Sequence, residues 1–98
     1  MTAAILTFPL KPEAPGFVER LVRAIDAQLP QMTDDATRLR VLEASEHRWT
    51  LRYLAFQRNV ALGRYDETNG PTAFDYAIAI AEISQRRTRL EMKLRGRS

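Results

Sequence analysis

The chain contains no cysteine. That removes disulfide scaffolds, thiolate metal sites and thiol nucleophiles from consideration. A chain of 98 residues buries only a modest core, so packing or association must supply its stability. Histidine is nearly absent too. His47 stands alone, one turn after Glu43, and reads as a surface residue of a charged helix, with a catalytic base as the sharper alternative. The four glycines form neither a phosphate-cradling loop nor a nucleophile elbow. No apolar run spans a bilayer. The segment Ala3 to Phe8 has no basic residues before it and is cut by Pro9, which makes it too short for a secretory signal core. The expectation is a cytoplasmic protein with no membrane segment, no metal, no cofactor and no catalytic constellation.

Lysine is scarce as well, two residues against thirteen arginines, which explains a pI near 9.8 over a net charge of only +3. Charge of that size is a weak nucleic-acid signal. The acidic pairs do not suggest a metal either. Asp34–Asp35 suits the positive end of a helix dipole, and Asp66–Glu67 lacks the ligand spacing of a calcium loop.

What is present is helix. Thr33 to Leu62 has no internal proline or glycine and is followed by Gly63. The stretch predicts one continuous helix, 33–62, capped by Thr33, roughly 43 Å long, with Gly63 closing it in a left-handed conformation. Leu39, Leu42, Trp49, Tyr53, Phe56 and Val60 form a seam at spacings of three and four, interrupted by Glu46. Val41, Leu51, Leu54 and Leu62 lie off it, so this helix needs contact on more than one side.

Ahead of it, a shorter helix, 15–29, opens at Pro15, carries the stripe Phe17, Val18, Leu21, Val22, Ile25 and Leu29, and stops at Pro30. Residues 1–14, with Ile5, Leu6, Phe8 and Leu10 between prolines, read as an extended arm that lies on the helices or reaches a second subunit. After the long helix, Asn69, Gly70 and Pro71 mark a loop. Thr72 and Asp75 resemble a capping box opening a third helix, 72–95. One face of this helix carries Phe74, Ala77, Ile78 and Ala81; the other carries Tyr76, Ile80, Ile83, Leu90 and Leu94. A short loop makes the two long helices antiparallel, and small-on-large packing then sets Ala77 and Ala81 against Trp49, Tyr53 and Phe56.

The fold expected is therefore a single all-α domain, 1–98: a long antiparallel hairpin plus a shorter N-terminal helix. The first helix is about half as long as the second and cannot cover both arms. Leu42, Trp49, Tyr53, Phe56, Val60, Phe74, Ile78, Ile80 and Ile83 are the candidate packing or dimer core, and a homodimer completing a four-helix bundle is the expected remedy for the surplus apolar surface. A different protein partner is the alternative.

One charged feature stands out. Arg86, Arg87, Arg89, Lys93, Arg95 and Arg97 oppose a single Glu91, so the last thirteen residues carry +5 and the remainder −2. This run suits a phosphate-tracking or acidic-partner surface. It equally suits internal pairing, through Glu82–Arg86, Glu91–Arg95 and a hairpin register that sets Arg87 beside Glu46 and Arg95 near the acidic start of the long helix. Arg48 and Arg52 form a second cationic strip, beside aromatics that are either a stacking surface or core. Two functional readings follow: a non-enzymatic helical protein acting by protein binding, as adaptor, assembly factor or inhibitor, and a nucleic-acid-binding accessory protein.

Overall fold

The computed structural model describes residues 13–14 and 16–96, without the side chain of Asn69. The expectations for residues 1–12, for Pro15 as a helix opener and for Arg97 lie outside the described residues. Three helices follow one another: α1 (Phe17–Gln28), α2 (Asp35–Ala61) and α3 (Ala73–Gly96), with short 3-10 turns at Leu29–Gln31 and Glu67–Asn69. Among the described residues there is no strand. The shape is elongated, 50 × 30 × 20 Å, as two long antiparallel rods require.

Each boundary has a local cause. Pro30 lacks the N–H that would continue α1, and the chain tightens into a single 3-10 turn closed by Met32 N–H to the Leu29 carbonyl, 3.1 Å. The cap of α2 is Asp34 rather than Thr33: its carboxylate accepts from Thr37 N–H at 2.8 Å. A carboxylate at this position satisfies an orphan N–H and also meets the positive end of the dipole, which a threonine hydroxyl cannot do as strongly. Gly63 closes α2 at φ 73. Arg64 N–H reaches the Asn59 carbonyl at 2.8 Å and Gly63 N–H the Val60 carbonyl at 3.0 Å, the paired bonds of a Schellman ending. At the start of α3, Asp75 accepts from Thr72 N–H at 2.8 Å and Glu67 from Ala73 N–H at 3.0 Å, so two of the orphan donors are met by carboxylates.

The core gathers Phe17, Leu42, Trp49, Phe56, Tyr76, Ala79 and Ile83. Tyr76 is its hub. Its ring lies 5.2 Å from Phe17, 6.2 Å from Trp49 and Tyr53 and 4.6 Å from Phe56, so one side chain joins all three helices. Trp49 stacks flat on Phe17 at 5.3 Å. Tyr65 in the loop caps Phe56 edge-on at 5.0 Å and donates to the Pro71 carbonyl at 3.0 Å. Gly70 is required there by space: a Cβ on its extended backbone would run into the Tyr65 hydroxyl.

The second face of α3 points inward. Ala77 and Ala81 are exposed, and Tyr76, Ala79 and Ile83 hold the place expected of them. The principle of a small residue at the closest approach survives, two positions from where it was expected: Ala79 is 0 % exposed. Phe74, expected in the core, is 72 % exposed. Leu42, Trp49, Phe56 and Ile83 are buried, with Tyr53, Val60 and Ile80 packed at the core's edge and Ile78 half-buried.

Candidate functional site

The basic C-terminal run is largely committed within the chain. The Arg86 guanidinium donates to both Asp26 carboxylate oxygens at 2.7 and 2.9 Å and to Glu82 at 2.6 Å. These hydrogen bonds, Asp26 first, raise the Arg86 pKa, and Arg86 in turn holds the Asp26 carboxyl below its usual range. Arg87 donates to Glu46 at 2.6 Å and to Glu91 at 3.0 Å, and the bond to Glu46 is the main cause of its raised pKa. The hairpin register that sets Arg87 beside Glu46 is thus met. At the acidic start of α2, Lys93 reaches Asp35 at 3.5 Å, and Arg95 is exposed.

Two cationic sites make contacts that the local sequence does not signal. The Asp26–Arg86 pair ties α1 to α3 across 60 residues. Arg38 gives Nε to the Leu29 carbonyl at 2.8 Å, Nη2 to the Met32 carbonyl at 2.6 Å and Nη1 to Asp35 at 2.5 Å. A charged donor therefore satisfies the carbonyls where α1 ends. An open depression of about 450 Å³ lies here, lined by Leu29, Pro30, Asp35, Arg38, Arg89, Leu90 and Lys93. Within it Arg38 faces Asp35 and helix-end carbonyls, and Lys93 faces Asp35. A similar one of about 440 Å³ lies between the start of α1 and the α2–α3 loop, where Gly16, Phe17, Glu19, Thr68, Pro71 and Asp75 meet. Among the described residues no group of acidic and histidine side chains is placed to hold a metal ion. None of the helices is long and apolar enough to cross a membrane.

The aromatics of α2 are core: Trp49 is 6 % exposed. Arg52 lies over its ring, 4.6 Å from the centroid, and reaches Glu13 at 3.3 Å. Such a cation on an indole face is worth about 0.5–1 kcal/mol at an exposed site.

What remains available is the outer side of the hairpin. Leu51, Leu54, Leu62, Phe74 and Met92 are large, apolar and more than half exposed. They belong to two different surfaces. On α3, Phe74, Ile78, Ala81, Gln85, Thr88 and Met92 recur at spacings of four, three, four, three and four, a heptad-like line without a single charge. All but Ile78 are exposed. On α2, Arg40, His47, Leu51, Leu54, Arg58 and Leu62 recur at seven, four, three, four and four, with Arg48 alongside; all are exposed. Glu43 is the one acidic residue on this outer side. The three leucines were visible in the sequence as residues off the seam. Their alignment with the cations was readable from helical period alone.

No protein-family model matches this sequence, and no curated protein and no solved structure is similar to it.

Proposed function

We propose that this protein acts without catalysis, by binding protein in the cytoplasm, and that it first binds itself. The carrying observation is the uncharged outer line of α3. In a chain with 28% charged residues, six helical positions spread over nineteen residues carry no charge, and five of them are exposed. The line is also self-complementary. Two copies of α3 crossing antiparallel about an axis level with Ile83 set Phe74 against the partner's Met92, Ile78 against the partner's Thr88, and Ala81 against the partner's Gln85. Asp75 then lies opposite the partner's Arg89. Isologous pairing of this kind is the usual form of a soluble homodimer. One helix–helix contact lies at the low end of stable interface size, about 1,000–1,200 Å² in total, so the dimer is expected to be weak and concentration-dependent. Such a module serves as an adaptor, assembly factor or inhibitor of a larger complex.

Light scattering and sedimentation over a concentration series test this reading. Wild type should pass from monomer to dimer, and Ala81→Arg, which places a charge on an exposed position of the line, should stay monomeric with unchanged helicity. A wild type that remains monomeric into the millimolar range sinks the proposal. The nucleic-acid alternative draws on Arg89, Lys93 and Arg95 at the exposed end of α3, where Lys93 already reaches Asp35. It predicts duplex binding at low salt that falls steeply as salt rises. Its support is thinner because Arg86 and Arg87 already hold carboxylates.

A further inference from the structure

The outer face of α2 differs in kind from that of α3, and the difference identifies what it binds. Arg40 and Arg58 lie on the same line as Leu51 and Leu62, with His47 between and Arg48 beside them. The cations that the sequence makes conspicuous are at the end of α3, yet two of those are spent on Asp26 and Glu46. On the outer face of α2, Arg40, Arg48 and Arg58 are exposed. Asp34 feels the Arg40 charge from the helix start, and Glu43 is the other carboxylate near the line.

We propose that this face docks an acidic amphipathic helix of another protein, carboxylates meeting Arg40, Arg48 and Arg58 and apolar side chains meeting Leu51, Leu54 and Leu62. The proposal rests on the reading of the chain as a protein-binding module and names the chemistry of its partner. Charge complementarity selects this occupant over the others. A second copy would bring six arginines and two histidines into one interface with only the Glu43 and Asp34 side chains of the two copies, four carboxylates, to oppose them. A helix lying in a lipid surface carries its cations on the flanks of the apolar strip, whereas Arg40 and Arg58 sit on the centre line and would be driven deepest. A phosphate backbone satisfies the arginines and gains nothing from three leucines, and no aromatic on this face is free to stack on a base: Trp49 is buried and Tyr53 packs on Tyr76. An acidic helix with an apolar stripe uses both sets of side chains at the same spacing.

The test is a selection of random displayed peptides, about 24 residues long or between six and seven turns of helix, enough to run from Arg40 to Leu62, against the full chain. The enriched peptides should carry Asp or Glu together with Leu, Ile or Phe at three- and four-residue spacing. Their affinity should fall about tenfold or more for Arg48→Glu/Arg58→Glu and for Leu51→Ser/Leu54→Ser, and should weaken with salt. All four side chains are exposed, so both variants should keep the helicity of wild type. Replacing the peptide's carboxylates with lysine should restore binding to Arg48→Glu/Arg58→Glu. Failure to enrich any peptide, enrichment of peptides without net negative charge, or indifference to both double variants overturns the proposal. So does binding to duplex DNA or to phosphatidylserine vesicles that survives Leu51→Ser/Leu54→Ser. The selection is repeated on Ala81→Arg. Acidic helices selected by a protein that never dimerises would leave this proposal standing without the α3 dimer, and a dimer that selects none would do the reverse.

Discussion

The two ends of the hairpin are held together by different physics. Near the loop, six aromatic rings from α1, α2, α3 and the loop itself pack on one another, centred on Tyr76. Toward the chain end Leu42 and Ile83 continue the core, with Ile25, Leu29 and Leu90 against it, and ion pairs tie the helices around it: Arg86 to Asp26, Arg87 to Glu46 and Lys93 to Asp35. Apolar contact stabilises through the area withdrawn from water and is indifferent to salt. Half-exposed ion pairs contribute about 0–1 kcal/mol each and are screened. The buried side chains should therefore carry most of the stability, with the ring cluster their largest part, and the ion pairs should fix which helix faces which.

The comparison breaks most directly at Trp49. Trp49→Ala should cost about 3–5 kcal/mol in urea unfolding, because the indole is buried against Phe17 and Tyr76 and its space cannot refill. A cost below 1 kcal/mol would deny the aromatic end its dominance. Next comes alkaline pH. Burial raises the Tyr76 phenol to about 12. A raised folded value means that the protonated ring's contribution is complete below the unfolded value near 10 and is lost as pH climbs through the folded one. Wild type should lose on the order of 2 kcal/mol across that window, and Tyr76→Phe should keep only the remainder due to Tyr65, whose phenol burial also raises. Gly70→Ala should cost about 1–3 kcal/mol, since the added methyl displaces Tyr65 from Phe56 and Pro71; thermal melts with near-ultraviolet circular dichroism read both effects.

At the ionic end the effects should be smaller. Arg87→Met should cost about 1 kcal/mol at low salt and less at high salt. An equal cost at both ionic strengths would show that its packing, not its charge, matters. Asp26 sharpens the contrast in acid. Its carboxyl is held down by Arg86, so its contribution is present above the ordinary carboxylate range and vanishes as pH falls through the depressed folded value. Asp26→Asn should lower stability slightly at neutral pH and leave it unchanged in acid, which flattens the acid limb of the stability profile. Leu51→Ser, at the outer face, should shift stability by no more than about 0.5 kcal/mol.

Much of this architecture is legible in the residues because it is written locally. Gly63 and Pro30 end their helices where simple sterics require it, and the loop length fixes the antiparallel register well enough to bring Arg87 to Glu46. The facing of α3 is not legible. Its first half is apolar nearly all round, so two phases of the helix satisfy the period equally, and only the room needed by the Tyr76 ring between three helices decides between them. The Asp26–Arg86 pair was equally hidden, since nothing local links residues so far apart. The surfaces offered for binding are half visible. Leu51, Leu54 and Leu62 stand off the seam in the sequence, but that the conspicuous arginines are already partnered, and the quieter ones on α2 exposed, emerges from the folded chain alone.

The flat stacking of Trp49 on Phe17 gives the molecule an optical gauge of its own. The chain has one indole, and the ring of α1 covers one of its faces. Lifting α1 away would admit water to that chromophore and move its emission to the red, even with the two longer rods still side by side. A fluorescence trace and a far-ultraviolet trace recorded together would therefore part company whenever the short helix detaches first, and coincide when all three let go at once.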